Sequence, residues 1–345
     1  MMQQKYGQIT GWGAYAPSNV VTNDDLSKIL DTSDEWIVQR TGIKARRWAE
    51  EGEDGISMAL AASREALEVA QLDPNDLDLI IVGTSLVESL APAVASYVQH
   101  QLGAKDVPAF DVSTGCTGFL YSLSTAYQFI ATGAYENILV VGVEHISQFV
   151  DLDDRATAVL FGDGAGAVVV QATDEPCGLK GFQLGSDGSQ TEKLKLGLTE
   201  LIKGESSKAT IYMDGRAVFR FASRVLGSAC AQVLQQAGKT LDDVDWIVPH
   251  QANMRILQSA ARDMGVPLEK FYINIDQYAN TSAASIPLAL AEGLNNGQIK
   301  PDDTILMVSF GAGLTWAATL VELSPKMVRA ESMFELGELV AEPVM

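Results

Sequence analysis

Basic residues are scarce in this chain. Lys and Arg number 24 against 44 Asp and Glu, a formal net charge of −20. That balance excludes a non-specific nucleic-acid binder, which needs a basic footprint over the phosphates. It also disfavours anionic membrane surfaces. Cysteine is nearly absent: Cys116, Cys177 and Cys230 form no CxxC pair and leave one odd thiol. A disulfide framework is therefore not expected, and a reducing, cytoplasmic compartment is. Histidine is as rare, with His100, His145 and His250 the whole set. None has metal-ligand spacing with a cysteine or carboxylate, so no metal site is expected. Long hydrophobic runs are missing too. Stretches such as Ile138–Val141 are strand-length, far short of the roughly 20 residues of a membrane helix. The opening MMQQKYGQIT has no apolar core of a signal peptide, so no secretory signal is expected.

What is present is enough apolar residue, 47% of 345, for a large core. At roughly 150 residues per domain, the length suggests about two units. The two halves echo each other. A helix over Ser57–Ala70 leads through Asp76-Leu77-Asp78 into strand Leu79–Val82; a helix over Val218–Ala237 leads through Asp243-Val244-Asp245 into Trp246–Val248. A helix opened by Cys116 and ending near Thr132 precedes strand Ile138–Val143; Asn280 to about Leu294 precedes Ile305–Val308. Each half closes on a glycine turn and a strand, Phe161–Ala165 into Val168–Val170 and Phe310–Gly313 into Trp316–Val321. Near-continuous apolar strands between helices read as central strands covered on both faces. The expected architecture is a duplicated α/β unit about a pseudo-twofold axis, residues 1–175 and 176–324. The extension 325–345 has no counterpart. Met327, Val328, Met333, Phe334, Leu336 and Leu339 there allow either a weak amphipathic helix or a partly ordered tail.

The loop Gly162–Ala167 (GDGAGA) invites a dinucleotide reading, but a strand follows it rather than a helix, so that reading is rejected. Cys116 lies between Gly115 and Thr117-Gly118, where an apolar stretch gives way to a helix. A thiol at a helix start feels the positive end of the dipole, which favours thiolate. Cys230, in LGSACAQVL, and Cys177 read instead as small buried hydrophobes. His250 ends strand DWIVPH, the strand end at which α/β proteins place ligands. His145 has either a catalytic or a strand-end role, and His100 a surface or core-edge one. Asn280 takes the helix-start place that mirrors Cys116, as a site residue or as a helix cap.

These segments resemble the β-ketoacyl-acyl-carrier-protein synthase III family of the thiolase superfamily. The likeness runs from about Gln8 to Leu323. It includes TSDEWIVQRTGIKARR (Thr32–Arg47), FGDGAGA, VPHQANMRI (Val248–Ile256), NTSAAS (Asn280–Ser285) and FGAGLTW (Phe310–Trp316). The resemblance implies a five-layered αβαβα fold, a homodimer and a Cys116-His250-Asn280 triad. It implies that Trp36, Arg40 and Arg155 hold the adenine and phosphate end of coenzyme A, with Thr32 and Asn253 near the same tunnel. Acyl-CoA would load Cys116, with an oxyanion hole from the backbone N–H groups of Cys116 and Ala312. Malonyl-acyl-carrier protein would then enter and decarboxylate against His250 and Asn280. Coenzyme A and phosphopantetheine thioesters are substrates in this scheme, and no resident cofactor is expected.

Three departures from the family pattern stand out. Ala279 replaces a usual Gly, Gly115-Cys116-Thr117 replaces the commoner Ala-Cys-Ala/Ser, and Ala91 stands where well-known members carry a Phe that limits the acyl pocket. Acyl chains longer than acetyl are the expectation from Ala91. Arg216, Arg220 and Arg224 are four apart and share one helix face; with Arg255 they form the expected docking face for an acidic carrier protein, the alternative being a solvated face. An acyltransferase or thioesterase using the same acyl-cysteine, and a non-catalytic binding partner, are the alternatives to condensation.

Overall fold

The computed structural model describes residues 5–85, 91–197 and 209–327. The chain begins β1 (Tyr6–Tyr15), β2 (Val20–Thr22), α1 (Asn23–Ser27), α2 (Asp34–Thr41), β3 (Ala45–Arg47), α3 (Gly55–Ala70) and β4 (Leu79–Gly83). It continues α4 (Val94–Leu102), β5 (Ala109–Val112), α5 (Gly118–Ala131), β6 (Asn137–Glu144), α6 (Arg155–Ala158) and β7 (Gly164–Thr173). The second half runs β8 (Gly178–Ser186), β9 (Leu194–Leu196), β10 (Ile211–Met213), α7 (Gly215–Ala237), β11 (Trp246–Pro249) and α8 (Met254–Met264). It ends with α9 (Ile275–Tyr278), α10 (Ser285–Asn295), β12 (Thr304–Gly311) and β13 (Thr315–Glu322).

Two large sheets form, ordered β1-β7-β6-β4-β5 and β8-β13-β12-β11, and two small ribbons pair β2 with β3 and β9 with β10. The second large sheet repeats the first strand for strand except at the edge. Opposite β11, where β5 would lie, the pairing among the described residues is a parallel bridge between Ile247 and Phe271. Strands alternate their side chains between two apolar faces, as covered strands must. Ile81, Val140, Val168, Ile305, Met307 and Ala317 face a shared central layer with Leu120 and Leu123 of α5 and Ile286 and Leu290 of α10. Ile80, Leu139 and Val169 face outward onto α3 and α4. Leu306, Val308 and Leu320 face outward onto α7 and α8. The result is the five-layered αβαβα arrangement. Full burial of each of the Val, Leu, Ile and Met side chains stabilises by about 1.5–3 kcal/mol.

Local signals set the helix starts. α3 begins at Gly55 because Asp54 accepts from the Ser57 N–H while the Ser57 hydroxyl oxygen accepts from the Asp54 N–H. The mirror between halves is shifted from the sequence reading. Each central helix is preceded by a three-residue 3₁₀ turn, Gly115–Thr117 before α5 and Ser282–Ala284 before α10. Cys116 therefore matches Ala283, and Asn280 lies three residues ahead of the mirrored place. Gly-, Ser- and Ala-rich turns carry no periodic signal, so the pattern alone could not fix their register. The two turns meet: a Cβ at Gly118 would sit 3.5 Å from the Ala283 Cβ.

GDGAGA opens β7, which pairs antiparallel with both β6 and β1. No helix N-terminus follows it. A separate shoulder of Leu26, Ile37, Ile43, Phe161, Ile275 and Ala279 fastens α1, α2 and α9 beside the central layer. Residues 86–90, just ahead of Ala91, lie outside the described residues, as do residues 328–345 of the C-terminal extension. Among the described residues no helix is long and apolar enough to cross a membrane.

Candidate active site

Cys116 sits in the 3₁₀ turn that feeds α5. The turn is fastened on both sides: the Gly115 N–H donates to Ser85 Oγ at 2.8 Å, and the Ser309 hydroxyl donates to the Cys116 carbonyl at 2.8 Å. Its neighbour is the β12–β13 turn. A Cβ on Gly311 would come within 2.6 Å of the Cys116 nitrogen, and one on Gly115 within 2.9 Å of the Ala312 nitrogen. Only glycine permits this approach, which sets the Cys116 and Ala312 amides side by side. Part of Cys116 reaches the surface, yet burial dominates its chemistry and pushes the thiol up to about 12. The resting group is therefore a neutral thiol, where the helix start alone suggests a thiolate.

Asn280 enters from the segment before α10. Its N–H donates to the Leu160 carbonyl at 2.9 Å, and its carbonyl accepts from the Gly162 N–H at 3.0 Å, so FGDGAGA anchors it. Its Oδ1 accepts the Ser282 N–H at 2.8 Å, which leaves the side-chain NH₂ as the group to present. Ala279 just ahead has φ 58° and ψ −151°, a region open mainly to glycine and costing about 1–3 kcal/mol for other residues. That conformation is the physical reason a glycine suits this position. Ser282, at φ 50°, holds its Oγ 3.4 Å from Cys116 Sγ and 3.2 Å from Glu144 Oε1.

His250 follows β11, its N–H donating to the Val308 carbonyl at 2.8 Å and its ring edge-on to Phe310 at 5.5 Å. Nδ1 is 3.1 Å from Ser285 Oγ, which accepts from the Thr281 hydroxyl at 3.3 Å. With Thr281 donating to Ser285, and Ser285 to Nδ1, the ring proton is assigned to Nε2, the nitrogen left to donate. Burial lowers the His250 pKa to about 3, so the ring is neutral at physiological pH. Cys116, Asn280 and His250 are thus tied to one another through Ser282, Ser285 and the end of β12.

The expected coenzyme site forms a cluster outside this centre. The guanidinium of Arg40 lies 4.4 Å and that of Arg155 4.7 Å from the Trp36 ring centroid. Arg155 also donates to the Asp31 carbonyl and lies 3.6 Å from its carboxylate. Thr32 Oγ1 is buried without a hydrogen-bond partner. Asn253 caps α8, its Oδ1 accepting the Arg255 N–H at 2.9 Å. Arg255 differs from the expected free docking cation: its Nε and Nη2 donate to the Gln39 carbonyl at 3.2 and 2.9 Å, bridging α8 to α2. Arg216, Arg220 and Arg224 are exposed along α7. Ala91 is exposed in the single chain, just before α4. His100 is exposed, and the His145 carbonyl accepts from Gln148 Nε2 at 3.0 Å. Cys177 and Cys230 are buried.

Comparison with known proteins places this geometry. The model of 3-oxoacyl-[acyl-carrier-protein] synthase III matches residues 110–188, and that of its C-terminal part residues 234–323. A β-ketoacyl-[acyl-carrier-protein] synthase III of Bacillus anthracis is 50% identical over 310 residues, covering 90% of this chain and 96% of that relative. The chain belongs to the β-ketoacyl-[acyl-carrier-protein] synthase III family. Among solved structures, the synthase III of Aquifex aeolicus superposes with a TM-score of 0.87 at 46% identity, covering 92% of this chain and 99% of that one. The priming β-ketosynthase of the R1128 polyketide pathway gives a TM-score of 0.90 at 36% identity, over 94% and 98%.

Within this synthase III chain, the sequence reading did not single out Ser282, Ser285 or Glu144. Ser282 and Ser285 lie inside the quoted NTSAAS segment. The signal for Glu144 is a single carboxylate closing the apolar strand NILVVGVE, fully buried in the fold.

Proposed function

We propose that this chain catalyses decarboxylative condensation of an acyl group, delivered by acyl-CoA and held on Cys116, with malonyl-acyl-carrier protein. The product is a β-ketoacyl thioester that initiates fatty-acid or polyketide-type synthesis. The observation that carries this reading is the convergence of a neutral His250 and a donor-presenting Asn280 on the turn that holds Cys116. Cys116 Sγ attacks the acyl thioester, and the Cys116 and Ala312 amides receive the developing oxyanion. Coenzyme A leaves. The malonyl thioester carbonyl then accepts from His250 Nε2–H and the Asn280 NH₂. Loss of CO₂ builds an enolate at that carbonyl, and its carbon attacks the acyl-Cys116. Neutral donors suit this step, whereas a strong base would favour hydrolysis.

Trp36, Arg40, Arg155, Thr32 and Asn253 hold coenzyme A or phosphopantetheine in this proposal. Their clustering around α2 and the start of α8 supports it. The exposed Arg216 and Arg220 of α7 receive the carrier protein, with Arg255 at the rim, where opposite charge speeds encounter. A homodimer in the cytoplasm completes the proposal. β5 is a sheet edge carrying the exposed Phe110, the kind of edge that pairs with a second copy. Ala91, nearby, would then line the second copy's acyl pocket.

The experiment is a coupled assay with acyl-CoA and ¹⁴C-malonyl-carrier protein. Labelled CO₂ should appear with a product two carbons longer than the primer. Deacylation without CO₂ would favour the thioesterase alternative. The state of His250 adds a pH prediction. An ordinary histidine titrates near about pH 6.5, but this one is held down to about 3 by burial. Malonyl decarboxylation should therefore vary less than about twofold from about pH 5 to 8. An acid limb centred near pH 6.5 would contradict the neutral-donor role.

A further inference from the structure

A neutral thiol must lose its proton as it attacks, and the site shows where the proton can go. His250 does not offer itself as the acceptor: Nδ1 is turned to Ser285, and burial makes the ring a weak base. The sulfur has another neighbour. Ser282 Oγ stands 3.4 Å from Cys116 Sγ and 3.2 Å from Glu144 Oε1. Glu144 closes β6 and is fully buried. Its carboxylate also accepts the Ser85 N–H at 3.2 Å and faces the Thr84 hydroxyl at 3.5 Å.

A serine hydroxyl has one proton to give and lone pairs with which to receive. A carboxylate is a stronger acceptor than a thiol sulfur. Ser282 is placed to donate to either Cys116 Sγ or Glu144 Oε1; with its one proton turned to the stronger acceptor, Glu144, the Oγ lone pairs are left to receive a proton from the sulfur. With the hydroxyl proton on the Glu144 side, Oγ lies between the sulfur and the carboxylate, 3.4 Å from one and 3.2 Å from the other, as a relay for a proton leaving Sγ. Ser282 is held in this line by its left-handed backbone and by its N–H on Asn280 Oδ1. Glu144 acts on the sulfur electrostatically as well, as the charged group that disfavours thiolate.

We propose that Ser282 and Glu144 form the proton outlet of Cys116 during acyl loading. Sγ bonds to the thioester carbonyl carbon as its proton passes to Ser282 Oγ and the serine proton passes to Glu144 Oε1. The carbon–sulfur bond to coenzyme A then breaks. The departing thiolate takes a proton back from Glu144 through Ser282, leaving free coenzyme A thiol and an ionised carboxylate. No oxidant, reductant or other co-reactant is needed. Ser282 touches the reacting sulfur and is a catalytic residue; Glu144 acts through it and is a positioning residue. The proposal rests on Cys116 being the acylated residue.

The test is alkylation of the full chain by iodoacetamide from about pH 6 to 10, read by peptide mass at Cys116. This probe needs neither acyl-CoA nor carrier protein, so its result stands apart from that of the condensation assay. With the outlet intact, Cys116 should react at pH 7 faster than a thiol titrating near 12 allows. Glu144→Gln should lower the pH 7 rate by about 10²-fold, the lower range of general-base effects. Its rate should then climb about tenfold per pH unit. Glu144→Asp should restore part of the loss. If the Gln variant fails to fold, Ser282→Ala, which removes one oxygen, carries the same expectation. Charge repulsion alone predicts the opposite sign, because Gln removes the negative charge that disfavours thiolate. A Glu144→Gln or Ser282→Ala protein that alkylates as fast as wild type, or faster, overturns the outlet.

Discussion

The Cys116→Ala protein is expected to keep its unmodified mass in acyl-CoA, under conditions where the wild type gains one acyl group. Cys177→Ala and Cys230→Ala should load like the wild type. Only Cys116 combines partial exposure with two backbone amides beside it. Cys230 packs in the layer between α7 and the second sheet at 1% exposure, and burial pushes its thiol up to about 12. Cys177 is 6% exposed and lies against Gln8, on the far side of the first sheet's edge strand. Removing a covalent nucleophile costs on the order of 10⁶ in rate where the other groups depend on it. A loss of that order is expected in condensation. The readout is intact mass plus product formation, and stoichiometric acylation of the Cys116→Ala protein would contradict the assignment.

The second large effect separates the half-reactions. His250→Ala and Asn280→Ala should each cut malonyl decarboxylation by about 10²–10³, the usual cost of removing one donor to a developing oxyanion. Acyl loading should persist in both, because the loading amides belong to Cys116 and Ala312. Asn280→Ala also loses the Oδ1 bond to the Ser282 N–H, so some slowing of loading accompanies it. Asn280→Asp keeps an oxygen for that bond and removes the donor. A large decarboxylation loss in both Asn280 variants therefore traces to the donor. The assay is CO₂ release from labelled malonyl-carrier protein beside acylation followed by mass. Near-normal condensation by Asn280→Ala would refute the role.

Much of this was legible in the sequence, for identifiable reasons. The apolar strands are covered on both faces, so Leu79–Val82 and Ile305–Val308 carry unbroken apolar runs that stand out. Cys116, His250 and Asn280 are chemically distinctive residues at element ends. The contacts that tune them were not legible, because they join distant segments through common residue types. Ser282 and Cys116 are 166 positions apart, and Ser282 and Glu144 are 138 apart. The commitment of Arg255 to the Gln39 carbonyl, 216 positions away, was equally hidden. The helix start at Cys116 points to a thiolate, but desolvation depends on what the fold packs around the sulfur, and burial pushes the thiol up.

The most direct measurement is a two-step single turnover followed by intact mass. Wild-type protein is first acylated with acyl-CoA, freed of excess substrate, and then mixed with malonyl-carrier protein. The account predicts that the acyl mass leaves Cys116 as one equivalent of CO₂ and one of β-ketoacyl-carrier protein form together. Release of the acyl group as free acid without CO₂, or an acyl-enzyme indifferent to malonyl-carrier protein, would contradict it.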